Sequence, residues 1–287
     1  MKIIADTPTL YSPAEAEAMG LTVIPACTII DDTVYRDFVD ISAEEFLGKI
    51  AQGAVPKTSQ PAIGDILDVY ENCEDEMLVM PIGDGLSGTY QNMVGAREMV
   101  DGNERIHVID TKTLAGPQRY LVRKAMELRE KGLDIERIKQ ELKESIESSI
   151  SFVIPADFEF LKRSGRLTPV AAKIGTILKI VPVLTQTEDK RRITLHCIKR
   201  TEKKAVQAII DHFRAQGVGE NWLITVSHGG VPEKAGRMNW PKVDLERFRG
   251  EEFDFVFVYR IDGGRQVAGA AQEPFRPVCL SWWRENP

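Results

Sequence analysis

Cysteine and histidine are scarce in this chain, four of each in 287 residues. Cys27, Cys73, Cys197 and Cys279 form no C-x-x-C pair and have no histidine at metal-ligand spacing. They read as reduced core thiols, and neither a metal nor any other cofactor is expected. A basic excess is also missing. The 37 Lys and Arg are outnumbered by 43 Asp and Glu, giving a formal net charge of −6, so nucleic acid is not an expected partner. Long apolar runs are absent too: Ile174 to Leu184 is interrupted by Lys179 and Pro182 and is too short to span a bilayer. The start, Met1-Lys2-Ile3-Ile4-Ala5-Asp6, places an acid where a signal peptide needs its apolar stretch. Charge blocks, low-complexity tracts and internal repeats are lacking as well. Together these absences make the cytoplasm the expected location.

What is present is the composition of a globular protein with a sizeable core, 43% hydrophobic and 28% charged. Ile3 to Asp6 reads as a strand ending on an acid, and Ser12-Pro13-Ala14-Glu15 as a capping box opening a helix. Leu21 to Pro25 is a second strand, and Thr28-Ile29-Ile30 before Asp31-Asp32 starts a hairpin. Ser42-Ala43-Glu44-Glu45 caps a helix with Phe46, Leu47 and Ile50 on one face. Met77 to Met80 and Ile106 to Ile109 are continuous apolar runs, as in strands covered on both sides. Helices are predicted over Tyr90 to Val100, Gln118 to Lys131 and Ile135 to Ser149, the last capped by Asp134. This alternation implies a mainly parallel sheet between helical layers.

The rhythm changes after Ser151. Ile180 to Thr185 and Arg192 to Cys197 read as an antiparallel hairpin, followed by a helix over Glu202 to Ala215 and strands over Trp222 to Val226 and Phe253 to Tyr259. The predicted fold is α/β in two domains. Residues 1–155 form a three-layer α/β/α domain with a mainly parallel sheet. Residues 156–287 form an α/β domain with a mixed or antiparallel sheet.

Three segments carry candidate chemistry. In Lys57-Thr58-Ser59-Gln60-Pro61, Thr58 or Ser59 is placed to cap the helix that holds Ile63, Ile66, Leu67 and Tyr70, leaving the other hydroxyl for a ligand. Gly83-Asp84-Gly85-Leu86-Ser87-Gly88-Thr89-Tyr90 joins a predicted strand to a predicted helix, where glycines admit a ligand to the backbone and the helix N-terminus favours an anion. Neither segment fits a phosphate-cradling or dinucleotide-binding pattern, and Asp84 would repel a polyphosphate. Hydroxyls and amides with no fixed cation suit a single carboxylate, so Thr58, Ser59, Ser87 and Gly88 are the candidate carboxylate contacts. Gly85-Leu86-Ser87-Gly88 also resembles part of a nucleophile elbow, with Thr89 in place of the last glycine. A serine hydrolase or acyltransferase built on Ser87 would need His228, the best placed of the four histidines, as its base. A small-anion-sensing regulatory domain is the third reading.

The third segment is Phe158 to Leu167. Its predicted helix ends in Lys162 and Arg163, cations that complement the helix dipole, and stops at Gly165. Arg166 lies beyond that stop, without an apparent capping duty and placed to reach an acidic or phosphoryl partner. Ile174, Ile177 and Leu178 then offer apolar surface for a pocket.

These segments, taken in order, resemble the DegV family of fatty-acid-binding proteins. The resemblance runs through Ala5-Asp6-Thr7, Pro56 to Pro61, Leu86 to Gln91, His107 to Thr111, Phe160 to Leu167, and Ile174-Gly175 to Pro182-Val183-Leu184, covering the chain to about residue 205. It implies a non-enzymatic lipid-binding protein of two α/β domains, with an acyl chain buried between or within them. It also implies that hydroxyls matching Thr58 and Ser87 hold a long-chain fatty acid's carboxylate and present it to a separate kinase subunit for acyl phosphate formation. Transient contact with a membrane surface is a further expectation. The chain departs from the family at Thr7, at Gly83-Asp84, and at Ala271-Gln272-Glu273-Pro274-Phe275, where Glu273 would repel an acyl phosphate.

Overall fold

The computed structural model describes residues 1–155, 158–174, 180–218, 222–227 and 255–260. They divide into two units, the first Met1–Ile146 and the second beginning at Glu147. The second starts ahead of the boundary expected near residue 155 because Ile150–Val153 is a strand of its sheet.

In the first unit, β1 (Lys2–Asp6) runs parallel to β2 (Thr22–Ile24) on one side and to β6 (Met77–Met80) on the other, and β7 (Ile106–Val108) follows β6. All four β6 residues are buried, as an apolar run without alternation requires when both faces are covered. On one face Ile4, Ile24, Met77, Val79 and Ile106 pack with Ile66 and Tyr70 of α3 (Ile63–Glu71) and Met93 and Ala96 of α4 (Thr89–Arg97). The long helix α5 (Ala115–Glu130) packs against β1, burying Leu121, Val122 and Ala125.

Both predicted capping boxes form. Ser12 opens α1 (Pro13–Met19) and Ser42 opens α2 (Ala43–Ala51), each with a reciprocal glutamate three residues on. Asp134 accepts the Arg137 N–H at 2.8 Å at the start of α6 (Ile135–Ser148). The hairpin is present as β3 (Cys27–Ile30) and β4 (Thr33–Arg36). Asp31 and Asp32 both take positive φ, 48° and 61°, which matches the right-handed twist of the two strands. A third strand, β5 (Lys57–Ser59), pairs antiparallel with β3 to give a separate three-stranded sheet.

The second unit has a five-stranded antiparallel sheet. Its order is β10 (Ile193–Lys199), β9 (Val181–Gln186), β8 (Ile150–Val153), β12 (Phe255–Arg260), β11 (Trp222–Ser227). Short helices α7 (Phe158–Arg163) and α8 (Pro169–Ala172) precede β9. The amphipathic helix α9 (Glu202–Ala215) lays Ala205, Val206, Ile209, Ile210 and Phe213 on Phe152, Val183 and Ile224. No helix among the described residues is long and apolar enough to cross a membrane.

Phe152 stands edge-on to His196 and His212, at 5.0 and 5.2 Å between ring centroids, and the two imidazoles meet edge-on at 5.0 Å. Burial holds both below the ordinary histidine value of 6.5, and for His196 the neighbouring His212 and Lys199 add to the effect. An imidazole harder to protonate in the fold than in the unfolded chain contributes stability above its unfolded value and loses it as pH falls. Stability should therefore decline below about pH 6.5. His212→Gln should flatten that decline in thermal melts, and an acid limb identical to wild type would refute the assignment.

Candidate functional site

The strand order reverses at β1, whose partners β2 and β6 lie on opposite sides. In open parallel sheets the crevice beyond the carboxyl ends at such a reversal commonly receives a ligand. Asp6, the last residue of β1, is 0% exposed. Its Oδ1 accepts from Gln118 Nε2 at 2.7 Å and from the Ile82 N–H at 3.1 Å, with Oδ2 3.2 Å from the same N–H. Gln118 comes from the first turns of α5, and Nε2 also donates to the Met80 carbonyl at 3.0 Å. No cation faces the carboxylate among the described residues. Burial therefore dominates and pushes Asp6 up to about 7, although Gln118 and Ile82 pull the other way.

The chain leaving Ile82 is the glycine-rich segment. A Cβ on Gly83 would stand 2.7 Å from the Thr113 nitrogen and 2.8 Å from the Lys112 carbonyl carbon, both backbone atoms, so only glycine fits. The Gly83 N–H donates to the Thr113 carbonyl at 2.8 Å. The Asp84 and Lys112 N–H groups share Asp110 Oδ1, each at 2.9 Å. The side chain of Asp84 is buried. Ser87 Oγ lies 2.9 Å from Thr89 Oγ1 and accepts the Thr89 N–H at 3.3 Å at the start of α4. Ser87 is half-buried and Gly88 exposed.

The two predicted ligand segments meet. The Gln60 side chain rests on Gly88, where a Cβ would come within 2.1 Å of Gln60 Oε1. Asn92 Nδ2 donates to the Pro61 carbonyl at 2.9 Å, tying α4 to the same stretch. Thr58 is half-buried and Ser59 exposed. The expected cap by Thr58 or Ser59 is corrected by the structure. Both belong to β5, while α3 begins after Ala62 with no side-chain cap. Strand pairing with β3 has taken the segment that a cap would have used.

Arg166 also differs from expectation. Gly165 stops α7 as predicted, with φ 74°. The Arg166 side chain then turns back, and its guanidinium donates to the Ser164 carbonyl, a duty at the helix end that its position past the stop had not suggested. It is part-buried, and burial lowers its pKa. Ile174 is half-buried just after α8. Ile177, Leu178, His228 and Ala271 to Phe275 lie outside the described residues. No cluster of potential metal ligands occurs among the described residues.

Sequence reasoning missed three residues that organise this region. Asp37 is 2% exposed, and it accepts from Thr28 Oγ1 at 2.9 Å and from Thr7 Oγ1 at 3.4 Å. Gln118 was read only as the first residue of a helix. Asp37, Thr28 and Gln118 stand far apart in sequence from their partners, and periodicity carries no sign of such pairs.

A parallel unit with a hydroxyl-bearing side sheet, followed by an antiparallel unit, defines a class of two-part α/β protein. A family model described as "Uncharacterised protein, DegV family" matches residues 1–240, and the chain belongs to that family. A DegV domain-containing protein of Staphylococcus aureus, SA1258, is 31% identical over 257 residues, covering 88% of this chain and 90% of its own. Two solved structures share the architecture. One is a fatty-acid-binding DegV family protein from Thermus thermophilus, at 27% identity and TM-score 0.71, matching 91% of this chain and 99% of that one. The other is DegV, a fatty acid binding protein from Bacillus subtilis, at 25% identity and TM-score 0.73, over 90% and 98%.

Asp6 sets a pH dependence opposite in sign to that of the histidines. An acid whose folded pKa rises from 3.8 to about 7 binds its proton more tightly in the fold. Its contribution to stability is full below about pH 4 and is lost as pH climbs toward 7, by an amount on the order of a few kcal/mol. Asp6→Asn should remove this slope between pH 5 and 7, even if its absolute stability is lower. Melts of the variant that keep the wild-type slope would show that another group titrates there.

Proposed function

We propose that the chain binds a long-chain fatty acid, taking its carboxylate at the meeting of the Thr58–Gln60 and Ser87–Gly88 segments. The observation that carries this reading is the Gln60 contact on Gly88, which brings the two hydroxyl-bearing segments together at a helix start. Hydroxyls and backbone amides there match a singly charged head group. The fatty-acid-binding neighbours from Thermus thermophilus and Bacillus subtilis support the same ligand class. The first unit is the proposed carboxylate-binding domain.

The bonds of Ser87 favour binding over hydrolysis. Its hydroxyl engages Thr89, and no histidine among the described residues bonds to it. The second half of the proposal, presentation of the carboxylate to a separate kinase subunit, draws its support from the family resemblance, with Arg166 as the candidate partner contact.

Ser87→Ala and Thr58→Val, each tested in delipidated protein, should weaken oleate binding by about tenfold or more, one hydrogen bond to a charged group being worth roughly 1.5–3 kcal/mol. Direct titration with fluorescence or calorimetric readout measures this. Unchanged affinity in both variants would remove the carboxylate from this site. Turnover of short acyl esters that disappears in both Ser87→Ala and His228→Ala would replace the binding reading with the hydrolase.

A further inference from the structure

The two arms of the proposed site hang from two buried carboxylates. Asp6 holds the start of the arm that carries Ser87, through the Ile82 N–H. The other arm is β5, whose Thr58 stands directly opposite Thr28 in the β3–β5 ladder. Side chains of directly paired residues share one face of a sheet, with Cβ atoms about 4.5–5.5 Å apart. The Thr28 hydroxyl is 0% exposed and donates to Asp37 Oδ1, so that carboxylate lies on the face toward which Thr58 projects.

Asp37 also bridges back to the first arm. Its Oδ2 accepts from the Thr7 hydroxyl, the residue after Asp6, and Thr7 Oγ1 accepts the Ala26 N–H at 3.0 Å. The Asp37 N–H in turn donates to the Ala26 carbonyl at 2.9 Å. One connected set of bonds thus runs from the end of β1 through Thr7 and Asp37 to Thr28 and the strand beside Thr58.

We propose that Asp37 and Thr28 are positioning residues for the ligand carboxylate, fixing β5 and its Thr58 hydroxyl relative to the arm held by Asp6. The inference rests on the fatty-acid reading above. Removing the Thr28 hydroxyl would take one donor from a carboxylate that stays desolvated, and β3, with β5 paired to it, would lose this link to Thr7 and the end of β1. The tail would still bind, because its burial owes nothing to this set of bonds. The defect falls on recognition of the head group.

The test compares oleate with oleyl alcohol, the same chain without the carboxylate, on the full-length delipidated protein. The wild type should prefer the acid. Thr28→Val, nearly isosteric but without the hydroxyl, should weaken oleate binding about tenfold or more, leave the alcohol within about twofold, and so collapse the preference. Thr28→Ser, which restores the hydroxyl, should restore it. Asp37→Asn carries the same expectation if Thr28→Val does not fold. Equal losses for acid and alcohol, or a lower melting temperature with the acid preference intact, would make the pair merely structural and overturn the inference alone. A wild type that does not prefer the acid would overturn the binding reading, and this inference with it.

Discussion

A carboxylate sealed from water at the end of the first strand is the constraint around which the first unit is arranged. Among the described residues no cation neutralises Asp6, so the fold must deliver hydrogen-bond donors or accept a protonated acid. It delivers the Gln118 amide from α5 and the Ile82 N–H from the exit of β6. Those donors come from sequence distances of 112 and 76 residues. Satisfying one side chain therefore registers β1, β6 and α5 against one another. The Gly83 backbone then docks on Thr113, where no Cβ fits, and the loop toward Ser87 follows from that position.

Much of the fold was legible because its elements advertise themselves locally. The helix caps at Ser12 and Ser42, the Asp31-Asp32 turn, the uninterrupted apolar run of β6, and the C-terminal stop at Gly165 are all short-range signals with one physical meaning. The helix expected near Glu202 to Ala215 is present as α9. What stayed hidden depends on pairing at a distance. Ile150 to Val153 became a strand only because β9 and β12 flank it. Lys57 to Ser59 looked like the approach to a helix, and a partner strand some 30 residues earlier drew it into a sheet instead.

The candidate site shows the same division. Thr58, Ser59, Ser87 and Gly88 were visible as hydroxyls and glycine before helices, a chemistry that sequence displays directly. Their approach to each other depends on Gln60 lying over Gly88 and Asn92 reaching Pro61, contacts between residues about 30 positions apart. Asp37 was invisible for a related reason. An aspartate just after a strand reads as a turn residue, whereas in the fold it is buried and accepts from Thr28. Arg166 was misjudged in the opposite sense, since its position past a helix stop suggested a side chain with no local work. Its guanidinium instead closes the end of α7, so any partner contact would share it with that carbonyl.

The proposed ligand gives these polar arrangements a division of labour. About 14 buried methylenes at about 0.8 kcal/mol each amount to roughly 11 kcal/mol of gross apolar transfer, against roughly 1.5–3 kcal/mol for each hydrogen bond to the carboxylate. The tail dominates affinity whatever the head group does. A fixed cation would strengthen the hold on the head, but it would also compete with any partner that must reach the carboxylate. Hydroxyls and amides hold it more lightly while defining where it stands. Under this reading the head-group site needs precision more than strength, which is what buried acids with distant, well-directed donors supply. Asp6 and Asp37 are costly to bury, and under this reading their directed bonds to Ile82 and Gln118, and to Thr28 and Thr7, serve to fix where the two hydroxyl-bearing segments stand.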